Sequence, residues 1–128
     1  MSIRVQIKRA YEQPSDDDGY RVLVDRIWPR GLGKDEFEYD LWCKDLAPSK
    51  ELRQWFGHAP ERWNEFCRRY KNELAAEEAQ QRLQEVLRQA ASKTITLLYG
   101  ARDTEHNHAI VLAEELARQA KARARRDA

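Results

Sequence analysis

No stretch of this chain stays apolar for more than a handful of residues. The longest runs resemble the one from Ala109 to Ala113, so a membrane-spanning helix is excluded. Cysteine is scarce: Cys43 and Cys67 are the only two, far apart and without C-x-x-C spacing. That pattern reads as reduced thiols in a cytoplasmic protein, with one disulfide as the alternative. Glycine is scarce too, at five residues, and none builds a phosphate-cradling loop of the G-x-x-x-x-G-K-[ST] or G-x-G-x-x-G kind. A G-x-S-x-G nucleophile elbow is also missing. Charge of one sign is not in excess, since 23 Lys and Arg stand against 22 Asp and Glu, so a generic polyanion binder is not indicated. The opening MSIRVQIKRA alternates without an apolar core, and no secretory signal is expected.

What is present suits one folded domain. At 128 residues the chain can bury roughly 68% of its extended surface, enough for a core without disulfides or a structural metal. Charged residues reach 35% and mean hydropathy is −0.90, but the near cancellation of charge argues against disorder. The expected organisation is one α/β domain over residues 1–117, followed by a basic tail over 118–128. In that tail the large apolar residues give way to Lys121, Arg123, Arg125 and Arg126, so it should fray.

Residues 2–8 alternate Ile3, Val5 and Ile7 with Arg4, Gln6 and Lys8, the period of a strand with one wet face at or near a sheet edge. Residues 10–19, with Pro14 and the run Asp16, Asp17, Asp18 before Gly19, read as a solvated loop. Residues 21–27 contain Val22, Leu23 and Val24 in succession, the signature of a strand buried on both faces. Pro29, Gly31 and Gly33 stop it. Residues 39–45 read as a short strand.

Ser49 is placed to cap a helix that Gly57 ends, and Pro60 to open the next. Trp63, Phe66, Cys67, Tyr70 and Leu74 form one helical stripe, which is core packing. A third helix over 77–91 presents Leu83, Val86, Leu87 and Ala90. Thr94 to Tyr99 is a second apolar strand, and Thr104 or Asp103 is expected to cap a last helix burying Ala109, Leu112, Ala113 and Leu116. The order implies a three-layer α/β domain with a small, mostly parallel sheet flanked by helices, in which strands 21–27 and 94–99 run parallel.

Open α/β sheets bind ligands at the carboxyl ends of their strands. At those ends this chain places Asp25, Arg26, Trp28 and Arg30 on one side and Arg102, Asp103, His106 and Asn107 on the other, beside a helix N-terminus. Arginines beside free helical N–H groups suit a phosphate or carboxylate. The alternative is that Asp25 and Asp103 pair with those arginines and stitch the loops together. His58, in a loop after a helix stop, is a candidate proton carrier or a simple linker hydrogen bonder. His106 and His108, two apart on the expected helix, diverge by about 200° and do not readily share a metal. Neither cysteine sits at an electropositive helix start, although Lys44 neighbours Cys43.

Four segments, RVLVDRIWPRG, KDLAPSKELRQWFGH, PERWNEFCRRY and LLYGARDTEHNHAIVL, occur in an order that resembles the YeaO-like bacterial proteins, a branch of a large domain family of unknown function. The resemblance spans roughly Ile3 to Leu116. It implies a small cytoplasmic α/β protein and no established reaction. Its motif residues fall on Asp25, Arg26, Trp28, Pro29, Arg30 and Gly31, on Lys44, Ala47, Pro48 and Ser49, on Trp55, Phe56, Gly57 and His58, and on Arg102, Asp103, His106, Asn107 and His108. One departure is Ala59, a poor N-cap where relatives often carry Asp, which should cost about 1 kcal/mol.

The expected function is binding of a small anionic ligand, phosphorylated or nucleotide-like, at the strand ends, with action upon it left open. Arg26, Trp28, Arg30, Lys44, Arg102, Asp103 and Asn107 would bind it, while Asp25, His58 and His106 would move protons. No cofactor or metal is expected. The alternative is a non-enzymatic regulatory module, or a nucleic-acid binder using the Arg-rich tail and exposed tryptophans.

Overall fold

The computed structural model describes residues 3–127. Four strands, β1 (Val5–Arg9), β2 (Tyr20–Leu23), β3 (Leu41–Trp42) and β4 (Ile95–Tyr99), form one sheet in the order β1-β4-β2-β3, with every pairing parallel. The helices are α1 (Lys50–Phe56), α2 (Trp63–Leu74), α3 (Glu77–Ala90) and α4 (His108–Asp127). β4 lies inside the sheet and all five of its residues are buried, as an unbroken apolar run demands. β1 is an edge strand, as its alternation implies; Ser2, expected in that strand, lies outside the described residues.

Because side chains alternate along a strand, the sheet has two different faces. Val22, Ile95, Leu97 and Tyr99 point to one, where residues of all four helices close a single large core around Phe66, Tyr70, Leu83, Leu87 and Leu112. Leu23 and Leu98 point to the other, where the layer is built of loop: Phe37 and Ala10 are buried there, with Trp28, Leu32 and Trp42 packed against them. Trp28 meets Phe37, Tyr39 and Trp42 edge-on and donates its indole N–H to the Leu32 carbonyl at 2.7 Å.

Local chemistry sets the helix ends. The Ser49 hydroxyl accepts from Leu52 N–H, and Gly57 closes α1 in the left-handed region at φ 54°. Pro60 opens a short 3₁₀ turn that leads into α2, and Ala59 before it makes no side-chain cap. The last helix starts later than Asp103 or Thr104 would have it. Asn107 is the cap, its side-chain oxygen accepting from Ile110 N–H at 3.3 Å, because the Asp103 carboxylate already holds the preceding turn. His106 therefore lies outside the helix. At the other end α4 does not fray after Arg118 but runs on to Asp127, with Gln119 and Ala120 buried and Gln119 bonded to Gln80 and Gln84 of α3. Ala128 lies outside the described residues.

The acidic run after β1 is also only partly solvated. Asp18 is 2% exposed and pairs with Lys8 and Arg21, themselves on the loop-covered face of the sheet. Burial alone would raise its pKa, but the Ser15 N–H and the two cations outweigh that and hold it below the usual carboxylate range. The adjoining Gly19 sits at φ 65°, and a Cβ there would lie 2.2 Å from the Thr94 carbonyl oxygen, so the β1–β2 connection needs glycine.

Two stability outcomes follow from this packing. Phe66→Ala should cost about 3–5 kcal/mol in denaturant unfolding. Asp18→Asn should cost about 3–5 kcal/mol at neutral pH by leaving Arg21 buried without its counter-charge. A depressed folded-state pKa stabilises above the unfolded value of 3.8, and that contribution fades as pH falls through the folded one. The gap between wild type and Asp18→Asn should therefore narrow on acidification, and a gap that widens would refute the assignment.

Candidate functional site

β2 and β4 end side by side. Val24 N–H donates to Leu98 O at 3.0 Å, and one residue on, the Asp25 carboxylate accepts from Gly100 N–H at 2.9 Å. A Cβ at position 100 would lie 3.0 Å from that carboxylate oxygen, so glycine there lets the acid approach the backbone. Trp42 fixes the same corner from β3 by donating to the Asp25 carbonyl at 2.8 Å.

Above these strand ends opens a cavity of about 630 Å³. Its walls bring together Asp25, Arg26, Trp28 and Arg30 from the loop after β2, His58 from the loop after α1, and His106 and Asn107 from the approach to α4. Three other residues of the expected site stand elsewhere. Lys44 lies over the Trp42 ring at 4.1 Å and does not line the cavity. Arg102 is exposed outside it. Asp103 works from behind, accepting from the N–H groups of Glu105 and His106 and from His106 Nδ1 at 3.0 Å. Those bonds, the Glu105 N–H foremost, keep its pKa below the usual range. The His106 ring is thereby oriented with Nδ1 engaged and Nε2 as its remaining nitrogen.

Two further residues complete the site. His108, the first residue of α4, reaches back under the cavity with Nε2 3.0 Å from the Val24 carbonyl and 3.3 Å from Asp25 Oδ1. A carbonyl only accepts, so Nε2 carries the proton. Arg53 of α1 lines the cavity with its Nε buried and without a hydrogen-bond partner, and Asp25 Oδ1 likewise makes no hydrogen bond. Burial pushes the Asp25 carboxyl above its usual range, against the opposing pull of His108, the Gly100 N–H, Arg53 and His58. Burial pushes His108 below its own. Both shifts favour the uncharged forms at the cavity floor.

Three arginines, Arg26, Arg30 and Arg53, thus line one cavity. None of them is in an ion pair among the described residues. Asp25 and Asp103 engage histidines and backbone N–H groups instead. The backbone of His58 is left-handed at φ 58°, directly after left-handed Gly57, a conformation costly for a residue with a Cβ. Among the described residues no group of three His, Cys, Asp or Glu side chains could hold a metal ion.

Fold and cavity together define a small parallel α/β domain with a basic crevice at the carboxyl ends of its strands. No helix among the described residues is long and apolar enough to cross a membrane. By sequence the chain belongs to the family described as "Inactive DUF488-N3 subclade", which it matches over residues 4–128. An uncharacterized protein of Mycobacterium tuberculosis is 47% identical over 113 residues, covering 88% of this chain and 93% of that one. The uncharacterized protein YeaO of Escherichia coli is 42% identical over 115 residues, covering 89% and 97%. No solved structure matches the chain.

The Asp25 carboxyl provides a direct check of the cavity floor. A folded-state pKa raised above the unfolded 3.8 stabilises most at low pH and loses that contribution as pH rises through the folded value. Asp25→Asn, which keeps an acceptor for Gly100 N–H, should gain in melting temperature relative to wild type between pH 4 and pH 7. A relative loss over that range would mean that the ionised carboxylate is instead held by a strong partner.

Proposed function

We propose that the crevice binds a small anionic ligand, phosphorylated or nucleotide-like, and that Arg26, Arg30 and Arg53 are the groups that hold it. The observation carrying this reading is that three arginines without ion-pair partners line one cavity. Like charges gathered at one cavity repel, and an anion relieves the repulsion with charge-assisted hydrogen bonds. The first turn of α4, whose N–H groups adjoin the cavity through Asn107 and His108, adds a favourable dipole. A volume of about 630 Å³ is in the usual range for a metabolite-sized ligand.

The family description speaks of an inactive subclade, which favours binding over turnover. One observation supports the catalytic reading: His106 is oriented by Asp103 as a general base is oriented by its carboxylate. His58 and Asp25 would be the other proton carriers in that case. No comparable feature favours nucleic acid. The four tryptophans are all partly buried, and Trp55 is covered by the guanidinium groups of Arg62 and Arg69.

A thermal-shift series with inorganic phosphate and phosphorylated metabolites tests the reading. Wild type should be stabilised in a salt-sensitive way. Arg30→Ala and Arg26→Ala should lose most of that shift while their ligand-free melting temperatures stay within about 2 °C of wild type or rise, as expected of exposed groups without partners. Loss of ligand-free stability by about 3–5 kcal/mol, with no anion binding in the wild type, would assign the arginines to structure.

A further inference from the structure

Two large hydrophobic side chains left in water stand beside the arginines at the cavity, where exposed apolar surface suits a binding site. Among the described residues the exposed large hydrophobics are Tyr11, Ile27 and Tyr39, and both Tyr11 and Ile27 line the cavity. Ile27 is the extreme case at 68% exposure, between Arg26 and Trp28. Tyr11 is 43% exposed yet held in place. Its hydroxyl donates to the Arg30 carbonyl at 2.7 Å, and the Arg9 guanidinium lies 4.9 Å from its ring centroid. A ring fixed at its hydroxyl end gives up little conformational freedom when something packs on it, the property wanted of a stacking platform.

Resting on the reading that the cavity takes an anion, we propose that its ligand is a phosphate monoester carrying a planar ring, of which nucleoside monophosphates are the biological class. The phosphate lies among Arg26, Arg30 and Arg53, and the ring lies against Tyr11 and Ile27. The juxtaposition carries the argument. An inorganic anion would use the arginines and leave Ile27 in water, whereas an apolar ligand would leave three guanidinium groups uncompensated. A molecule with a charged end and a flat body meets both, and the tether from Tyr11 to Arg30 holds the two halves of the site in register. Base-on-aromatic stacking discriminates by shape and not by hydrogen bonding, so the inferred preference is for a ring over no ring, with modest selectivity among bases.

Titration of the full chain with inorganic phosphate, ribose 5-phosphate and adenosine 5′-monophosphate tests this. The ring-bearing compound should bind roughly tenfold more tightly than ribose 5-phosphate. Ile27→Ser should shrink that ratio to within about threefold and leave the affinity for inorganic phosphate unchanged. Tyr11→Ala should do the same, and Tyr11→Phe, which keeps the ring but loses the tether, should fall between Tyr11→Ala and wild type. Equal binding of the two organic phosphates, or an equal loss for all three compounds in Ile27→Ser, would overturn the inference while leaving the anion site standing. Failure of all three to bind the wild type would overturn both.

Discussion

Across 75 residues of chain, the Gly100 N–H reaches the Asp25 carboxylate at 2.9 Å, and the cavity end of the molecule is arranged around that bond. It forms because β2 and β4 are parallel neighbours that stop together, so the first residues beyond each strand emerge on the same edge of the sheet. The approach needs a glycine at 100, since a Cβ would crowd the carboxylate. Once Asp25 is held there, His108 at the head of α4 is drawn beneath it, and the loop that follows Asp25 is committed to the rim. Arg26, Ile27 and Arg30 become cavity residues because Asp25 is a floor residue.

Electrostatics at this corner run opposite to those on the far side of the sheet. Asp18 meets two cations and is held ionised, which knits β1, β2 and the intervening turn together. Asp25 lies beside a histidine in a drier setting, where burial raises its pKa, and it forms no ion pair with the arginines that line the same cavity. One carboxylate is therefore structural, and the other lies on the floor of the cavity the arginines line. A chain with nearly balanced total charge can still present a site rich in cations, because among the described residues Asp25 is the one acid that lines the cavity beside three arginines.

Much of the fold is legible in the chain. Consecutive Val22, Leu23 and Val24 and the run at Ile95 to Tyr99 mark doubly covered strands, and parallel pairing follows from the helices between them. Ser49 and Gly57 bracket α1 through cap chemistry that acts within a few residues. What local pattern does not reveal depends on tertiary contact. Arg53 on a short helix resembles any solvent-facing arginine, and only the docking of α1 beside the strand ends makes it a cavity residue. Asp18 looks like the end of a wet acidic turn until Arg21 and Lys8 arrive from the sheet. Asp103 is a plausible helix cap by type, but it engages the turn before the helix and cedes that place to Asn107. The basic tail stays helical with Gln119 bonded to α3 and Ala120 buried, and no periodicity of large apolar residues announces this. Lys44 and Arg102 share the chemistry of the site's cations without sharing their place in space.

The central claim is that the arginines of the crevice are uncompensated because their counter-charge is a ligand. An experimental structure of the protein equilibrated with phosphate near neutral pH tests it most directly. The account predicts an ordered anion in the cavity within hydrogen-bond distance of at least two of Arg26, Arg30 and Arg53, with Asp25 still bonded to Gly100 and His108 still bonded to the Val24 carbonyl. An empty cavity in which those arginines have turned onto Asp25 or Asp103 would contradict it.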